Sequence, residues 1–391
     1  MFVTRPSLMP KTPARAVPLC ASSNRRWIAL SDVFTMAPTP WPFGQAVLPC
    51  RKGAPRGDTK RDVVKYFVTG ATGFIGGHVA RQLVLSGHTV VALARDPSRA
   101  GDLARLGVAV HAGDITDAAS LRAPMAGVDG VFHIAGWYKI GARDTSPGQA
   151  INVDGTRNVL TMMKELGVPK GVYTSTLAVN GDTHGNLVDE SYRTPGGPWL
   201  TEYDRTKWVA HHEVAEPMIR QGLPLVIVMP GAVYGPGDTS AVAELFAQYL
   251  KGRLPLLPRG AALCWGYVDD IARAHIRAME AAAPGETYII AGPPHTLIDA
   301  LALAEQFTGI KAPRFHPGPA TMRALAAFMD AVGTVFPLPP TYTGEALRAG
   351  AATYIGDNSK AKRALGYDPR PLAAGLRLTL PFDVQREPPP S

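Results

Sequence analysis

The sequence predicts an α/β fold in which a doubly wound parallel sheet is joined to a smaller, mixed C-terminal lobe. Apolar segments of strand length alternate with helical stretches from Tyr66 to about Tyr234, a pattern typical of a parallel sheet covered on both faces. Beyond Tyr234 the alternation fades. The predicted units are a strand–helix domain over 63–240 with returns from 260–292, a substrate lobe over 241–387 and a frayed tail at 388–391.

Each predicted strand is a short apolar run rich in β-branched residues. In chain order the six read YFVTG, TVVALAR, VAVHAGD, GVFHIAG, KGVYTST and LVIVMPG. Helical periodicity between them is clear in GGHVARQLVLSG, DAASLRAPMAG, NVDGTRNVLTMMKELG and DRTKWVAHHEVAEPMIRQG. The lobe adds helices at AVAELFAQYLKG, VDDIARAHIRAMEAA and TLIDALALAEQFTG, one more around Met322 to Val332, and the strand ETYIIAG.

Charge separates the first segment from the rest of the chain. The net charge is +8, but residues 1–61 hold ten of the 40 Lys and Arg residues and only two of the 32 acids. The remainder is therefore balanced, and we expect no nucleic-acid partner. Residues 1–62 show no periodicity and are predicted to be a disordered basic extension.

Two interpretations of this extension stay open. An Arg-rich, acid-poor segment is typical of an organelle transit peptide. We favour upstream sequence included through a wrongly assigned start, with Val64 as the initiator. The three cysteines are scattered and predict neither disulfides nor a metal cluster. No apolar run reaches the roughly 18 residues of a membrane span, so we expect a cytoplasmic protein.

The turn after the first strand carries three glycines in TGATGFIGG, and an apolar helix follows at once. Gly70 suits a tight turn, Gly73 lets the backbone approach a phosphate, and Gly76 lets helix and strand pack closely. The helix N-terminus offers free N–H groups and the positive end of its dipole to an anion. This context predicts a dinucleotide-binding Rossmann domain.

Tyr203 and Lys207 stand four residues apart in EYDRTKW, at the start of a predicted helix. One helical turn places both side chains on the same face. A tyrosine of pKa ~10 is a poor acid or base at neutral pH, and a neighbouring ammonium favours its phenolate. The pair therefore predicts a tyrosine general acid/base.

Taken together, these motifs resemble an extended short-chain dehydrogenase/reductase of the NAD-dependent epimerase/dehydratase family. The resemblance extends from about Val64 to about Leu380. The motifs that carry it are TGATGFIGG, GDITD, HIAG, NVDGTRNVL, VYTSTLAVNG, YDRTK, MPGAVYGPGD, YVDDIA and NSKAKRALGY.

The resemblance implies catalytic roles. Tyr203 is expected to be the acid/base, and Lys207 to bind ribose and lower the tyrosine pKa. Thr176 is expected to supply the catalytic hydroxyl. Ser175 is expected to point to the opposite strand face and is the alternative candidate for the catalytic hydroxyl. Asn152 is expected to kink or brace a helix and to help hold water for a proton relay.

The resemblance also implies the cofactor contacts, to which Tyr203 and Lys207 contribute. The others are expected at Gly70, Thr72, Gly73, Phe74, Ile75 and Gly76 in the turn, Asp114 and Ile115 beside adenine, Ala135 and Gly136 beside the pyrophosphate, and Pro230 and Val233 beside the nicotinamide.

Cofactor choice depends on the end of the second strand, which reads ALARDPSR. NAD enzymes place a carboxylate there for the ribose 2′-OH. Ala94 takes that position here and Arg95 follows, and a guanidinium suits a 2′-phosphate. Asp96 is expected to turn away. We therefore expect NADP, with NAD as the alternative.

Two branches of the family predict different substrates for this chain. Carbonyl reductases similar to dihydroflavonol reductase share the Arg-Asp-Pro after the second strand, whereas HIAGWYKIGARD resembles hopanoid-associated sugar epimerases. Trp137, Tyr138, Thr176 and Tyr267 are expected to bind a small-molecule substrate. The apolar LCWGY segment favours hydride transfer between NADPH and a carbonyl or secondary alcohol over sugar epimerase or dehydratase chemistry.

Other functions are disfavoured. A non-catalytic NADP-binding scaffold protein is the second alternative, and the intact catalytic residues argue against it. His211 and His212 adjoin Glu213, but adjacent helical residues face different directions, so no metal site is expected.

A homodimer through the helices of Asn152 and Tyr203 is typical of the family, and the sequence leaves the oligomeric state open.

Overall fold

The computed structural model describes residues 63–194 and 196–380. Their strands form two sheets of unequal size. The predicted extension over 1–62 and the tail at 388–391 lie outside the described residues. The strands are β1 (Lys65–Thr69), β2 (Thr89–Ala94), β3 (Ala109–Ala112), β4 (Gly130–His133), β5 (Gly171–Thr174), β6 (Leu225–Pro230), β7 (Ala232–Tyr234), β8 (Ala262–Tyr267), β9 (Thr287–Ile290), β10 (Pro294–Thr296) and β11 (Thr353–Tyr354).

The larger sheet has seven parallel strands in the order β3-β2-β1-β4-β5-β6-β9. Its first six strands in the chain are the six predicted ones, so the doubly wound parallel fold is confirmed. The strand order reverses between β1 and β4. Because ligands of such sheets bind at the carboxyl ends beside this reversal, the site is expected there.

Helices cover both faces of the larger sheet and build much of the lobe. They are α1 (Phe74–Leu85), α2 (Gly101–Arg105), α3 (Ala118–Met125), α4 (Ser146–Gly148), α5 (Thr156–Glu165), α6 (Glu202–Val209), α7 (Glu216–Arg220), α8 (Ala241–Leu250), α9 (Val268–Ala281), α10 (Leu297–Thr308), α11 (Pro319–Gly333), α12 (Gly344–Ala351), α13 (Ser359–Leu365) and α14 (Leu372–Thr379). Two π-helical segments, 149–155 and 210–215, interrupt the long helices predicted before and after β5. Among the described residues, no helix is long and apolar enough to cross a bilayer.

The alternation of side chains along each strand produces two cores, one on either face of the sheet. In β1, Phe67 packs with Leu160 of α5 on one face, whereas Val68 packs with Val79 of α1 on the other. All four side chains are fully buried. This burial on both faces explains why the strands read as continuous apolar runs.

The smaller sheet is mixed and centres on β8. That strand pairs antiparallel with β10 and parallel with β7 and β11. A third core, with Trp265, Leu301 and Leu376 at its centre, fills the lobe behind it. Within the 260–292 stretch, α9 packs on α1 and β9 joins the larger sheet, but β8 belongs to the lobe. Since β7, β10 and β11 have only two or three residues, no periodicity predicted them.

A buried ion pair connects α9 with the segment before α14. The side chain of Asp270 is 3% exposed and accepts hydrogen bonds from Arg370 Nε at 2.7 Å and Nη2 at 2.8 Å. The Arg370 backbone N–H also donates to this carboxylate, and its guanidinium lies 4.0 Å from the Tyr267 ring centre. Asp269, in the same turn, bonds His78 of α1. Asp269 and Asp270, both in the first turn of α9, therefore hold neighbouring segments in place.

Asp270→Ala is expected to lower the free energy of unfolding by about 3 kcal/mol, because it leaves the Arg370 charge without its partner. Chemical denaturation measures this loss. Asp102→Ala is the matched control, since its ion pair with Arg105 is exposed and is worth less than about 1 kcal/mol. Equal effects of the two substitutions would contradict this role for Asp270.

Candidate functional site

The glycine-rich turn lies at the carboxyl edge of the sheet, between β1 and α1. Gly70 has a φ of +73°, and a Cβ there would lie 2.7 Å from the Ala135 nitrogen. A Cβ at Gly76 would lie 2.2 Å from the Gly70 oxygen, so helix and strand require glycine to meet this closely. Gly73 meets only the Gly70 oxygen, and no side chain caps α1. This open turn and helix N-terminus suit a pyrophosphate.

Thr69 and His133 join the ends of β1 and β4 beside this turn. The Thr69 hydroxyl bonds His133 Nδ1 at 2.8 Å and accepts from the Ala135 N–H at 3.2 Å. His133 Nε2 in turn bonds Thr156 of α5 at 3.0 Å. His133 is fully buried, and desolvation holds its pKa at about 3, so it is a neutral structural residue. Ala135 and Gly136 thereby lie next to the glycine-rich turn.

The ends of β2 and β3 carry the expected adenosine contacts. Arg95 directly follows β2 and is exposed. The Asp96 carboxylate accepts from the Ser98 N–H at 3.0 Å, and the Ser98 hydroxyl donates to it at 2.6 Å. It therefore turns away as expected, and Arg95 is left at the strand end. Asp114 accepts from the Thr116 N–H in the turn after β3.

The remaining cofactor positions follow the same edge. Ile115 is buried against α5, whose Asn158 donates to the Ile115 carbonyl oxygen. Pro230 ends β6, and Val233 lies three residues later in β7, half-buried. Most of these positions thus lie at or directly after the carboxyl ends of strands of the larger sheet, as a ligand along this edge requires.

Thr176, Tyr203 and Lys207 come together between β5 and α6. Tyr203 is the second residue of α6, and Thr176, which begins the turn after β5, lies close enough to it to affect its pKa. Lys207 is buried and donates to the Thr174 carbonyl oxygen at 2.7 Å and to the Tyr173 hydroxyl at 3.3 Å. The site therefore holds a phenol, a hydroxyl and an amine at one point of the edge.

Desolvation dominates the protonation of this group. It raises the pKa of Tyr203, and the hydrogen bond with Thr176 only partly opposes that rise. It lowers the pKa of Lys207 to about 7. The described residues on their own thus keep Tyr203 as a neutral phenol at neutral pH, and the expected lowering of its pKa does not come from Lys207 alone.

Ser175 points away from this group, as strand alternation predicts. Its hydroxyl bonds His211 Nδ1 at 2.7 Å, and both residues are buried. The expectation that His211 and His212 face apart is wrong, because their π-helical segment brings the ring centres to 4.4 Å and both near Glu216. Glu216 is also paired with Arg193 at 3.3 Å. The absence of a resident metal stays a prediction.

Asn152 braces the loop that follows β4. It lies in the first π-helical segment, accepts from the Trp137 N–H at 2.7 Å and donates to the Trp137 carbonyl oxygen at 3.0 Å. It also donates to Thr206 of α6 at 2.9 Å. The loop and the helix that carries Tyr203 are therefore tied to one amide.

The expected substrate residues divide into exposed and buried ones. Tyr138 is 41% exposed, and its ring lies edge-on to Tyr203 with centroids 4.7 Å apart. Trp137 is buried and packs on Gly148. Tyr267 is 5% exposed in the core of the lobe, beneath Arg370. The LCWGY segment is β8, and its apolar residues build the lobe core. The expectation that Tyr267 lines the substrate pocket is therefore wrong, because it is a core residue.

Glu345 at the start of α12 is a site residue that the sequence did not indicate. Its carboxylate accepts from the Gly141 N–H at 3.1 Å and from the Glu202 N–H at 3.0 Å. Glu202 precedes Tyr203, and Gly141 belongs to the loop that carries Tyr138. One lobe side chain thus holds both segments that present tyrosines to the site.

The lobe makes a second contact with the first turn of α6. Tyr354 of β11 donates from its hydroxyl to Asp204 at 3.1 Å. Asp204 is 3% exposed, and desolvation raises its pKa to about 6. The residues on either side of Tyr203 are thus both bonded to the lobe.

Known proteins show the same fold and sequence pattern. The family model described as NAD dependent epimerase/dehydratase family matches residues 66–291. The chain is 30% identical to sterol demethylase protein B of Methylococcus capsulatus over 77% of this chain and 93% of that protein. It is 37% identical to 2-alkyl-3-oxoalkanoate reductase of Stenotrophomonas maltophilia over 57% of this chain and 67% of that protein. The crystal structure of gox2253 matches at a TM-score of 0.71 and 31% identity, over 81% of this chain and 96% of that chain.

Glu345→Ala is expected to speed amide exchange of Gly141 and Glu202 by about tenfold, the equivalent of one lost hydrogen bond. Hydrogen–deuterium exchange read by mass spectrometry measures this. Glu345→Gln keeps only one of the two acceptor oxygens, so it should preserve the protection of only one of the two amides. Peptides of β5 should not change. Unaltered exchange in Glu345→Ala would show that the two segments are held by other contacts.

Proposed function

Since this chain belongs to the NAD-dependent epimerase/dehydratase family, we propose that it is an NADPH-dependent reductase of a carbonyl compound, similar to dihydroflavonol reductase. Oxidoreductases and epimerases of the extended short-chain dehydrogenase/reductase superfamily make up this family and its relatives, so the chain is an enzyme. The proposal concerns which of these reactions it performs.

The group formed by Tyr203, Thr176 and Lys207 at the carboxyl edge of the sheet is the observation that carries the proposal. Reduction of a carbonyl needs a proton donor in its first step, whereas epimerisation through a ketone intermediate begins with proton removal from a hydroxyl. Burial raises the pKa of Tyr203, so its hydroxyl holds a proton at neutral pH. Tyr203 is half-buried, and a phenol that holds its proton suits the donor step of a carbonyl reduction.

The residues present fit a dinucleotide of the phosphorylated type. At Gly73 a Cβ would meet only the Gly70 oxygen, so the N-terminus of α1 stays open to a phosphate. Arg95 stands where the ribose 2′-substituent is expected. When bound, the cofactor supplies a hydride to the carbonyl carbon. Lys207 is placed to bind the nicotinamide ribose, beside Pro230 and Val233.

Side chains of this protein handle the proton. Thr176 and Tyr203 both direct hydroxyls to the position of the carbonyl oxygen, and their hydrogen bonds strengthen as negative charge develops on it. Tyr203 then donates its proton to that oxygen. Lys207 lies one turn away, and its ammonium form stabilises the resulting phenolate. Desolvation lowers the pKa of Lys207 to about 7, so a developing phenolate also favours this charged form. Asn152 keeps the Trp137 loop in place during this exchange.

The carbonyl substrate is supported by the relatives and by charge. One relative is named as a reductase of 2-alkyl-3-oxoalkanoates, which are ketones. A nucleotide-sugar epimerase needs cations for a diphosphate. In the lobe, the arginines that could serve this role are surface residues: Arg253, Arg259 and Arg314.

A panel of ketones, aldehydes and nucleotide sugars, followed by NADPH absorbance and product analysis, tests the function. We expect net oxidation of NADPH with a ketone or aldehyde. Conversion of a nucleotide sugar without net cofactor change would replace the reductase with an epimerase. Cofactor binding without any turnover would favour the scaffold alternative.

Arg95→Ala is expected to weaken NADPH binding by about 1.5–3 kcal/mol, because it removes a charged hydrogen bond to the 2′-phosphate. NADH binding should change little, and the unmutated protein should prefer NADPH. Fluorescence titration of both cofactors measures the two affinities. Arg122→Ala, at an exposed ion pair with Glu165, is the matched control. Equal affinity of the unmutated protein for NADPH and NADH would end the argument for NADP.

Tyr203→Phe is expected to keep cofactor affinity and to lose about 10²–10⁴-fold in turnover, since only the transferable proton is removed. Thr176→Ser should be mild and Thr176→Ala severe. In the unmutated enzyme the reductive rate should fall as the pH rises through the pKa of Tyr203, because its proton is then lost. Since burial raises that pKa, the fall should lie on the alkaline side of neutrality. More than about a tenth of normal turnover in Tyr203→Phe would mean that another group donates the proton.

A further inference from the structure

We propose that the groove between α11 and α12 binds the apolar tail of a lipophilic carbonyl substrate whose reacting end lies at Tyr203. This inference rests on the proposed reductase function and adds to it the class of substrate. The occupant is part of the substrate, not a second protein or a membrane.

The groove is large enough to be a ligand site. It has a volume of about 640 Å³, within the roughly 300–1,000 Å³ typical of small-molecule pockets. Its walls are the end of α11, the turn after it, the start of α12 and the loop that follows Tyr138. The lining side chains that matter here are Arg143, Met329, Asp330, Val335, Phe336 and Leu338.

Apolar side chains are unusually exposed along this groove. Val335 is 72% exposed and Phe336 is 64% exposed, and Phe328 on the adjacent turn of α11 is 62% exposed. Contiguous exposed apolar surface on a folded protein marks a binding site, because covering it releases water. An aliphatic or polycyclic tail is the substrate chemistry that such walls bind.

The groove begins close to the catalytic group along the chain. Gly141 lines the groove and is three residues after Tyr138, whose ring touches that of Tyr203. Three extended residues span at most about 11 Å, so the groove begins within that distance of Tyr138. Gly141 also fits tightly against the lobe, since a Cβ there would lie 2.3 Å from the Pro340 oxygen. A tail that leaves a carbonyl at Tyr203 would follow this loop to reach the groove.

Charge in the groove favours an apolar tail over a nucleoside diphosphate. Its ionisable lining residues are Arg143 and Asp330, and Asp330 is paired with Arg348 at 2.6 Å. One arginine at the rim does not form the clamp of several cations that a diphosphate requires.

The test is a homologous series of methyl ketones, from butanone to tridecanone, with NADPH oxidation as the readout. We expect kcat/KM to rise with chain length in the unmutated enzyme. The double variant Val335→Asp/Phe336→Asp should lower kcat/KM for tridecanone by at least about tenfold through KM, and leave butanone unchanged. Both positions are exposed, so the variant should fold. Leu85→Asp, at a 74% exposed leucine that ends α1, is the control and should change neither value.

A binding measurement separates this inference from the proposed function. Parinaric acid should gain fluorescence on the unmutated protein, be displaced by tridecanone, and bind the double variant at least about tenfold more weakly. Probe binding of this kind without reduction of any ketone would support the groove and reject the reductase. Equal probe binding by the unmutated protein and the double variant would overturn the groove. Vesicle binding or self-association lost in that variant, without chain-length dependence, would also overturn it.

Discussion

The close approach of three backbone segments at the glycine-rich turn is the constraint on which the site depends. A Cβ at Gly76 would lie 2.2 Å from the Gly70 oxygen, and a Cβ at Gly70 would lie 2.7 Å from the Ala135 nitrogen. Because glycine has no Cβ at either position, α1 can start directly against β1, and β4 can end beside both. The hydrogen bonds of Thr69 fix this arrangement. A wider separation would spread the remaining site residues, since they follow the strands packed around β1 and β4.

Where a side chain's direction follows a local repeat, the sequence alone was sufficient to predict it. Ser175 and Thr176 diverge because strand residues alternate, so Ser175 reaches His211 while Thr176 reaches Tyr203. Tyr203 and Lys207 share one face because they are one helical turn apart. The long apolar runs of the larger sheet carry the same information, since strands buried on both faces must be apolar throughout.

Contacts between residues that are far apart in the sequence could not be predicted from a local repeat. Glu345 bonds Gly141 across 204 residues, and Arg370 bonds Asp270 across 100. No local motif marks either pair. The π-helical turn that brings His211 and His212 together breaks the regular helical spacing on which their expected separation depended. Tyr267 was misassigned for a related reason, because an aromatic, apolar segment has the same composition in a pocket wall as in a buried strand.

The first turn of α6 is in contact with both the larger sheet and the lobe. Tyr203 and Lys207 project from it toward the sheet edge, where desolvation sets their protonation. The neighbouring Glu202 N–H and Asp204 carboxylate are instead held by Glu345 and Tyr354 of the lobe. A shift of the lobe must therefore displace Tyr203 as well as the groove. The proposed proton donor and the proposed site of the substrate tail thus depend on the same contacts.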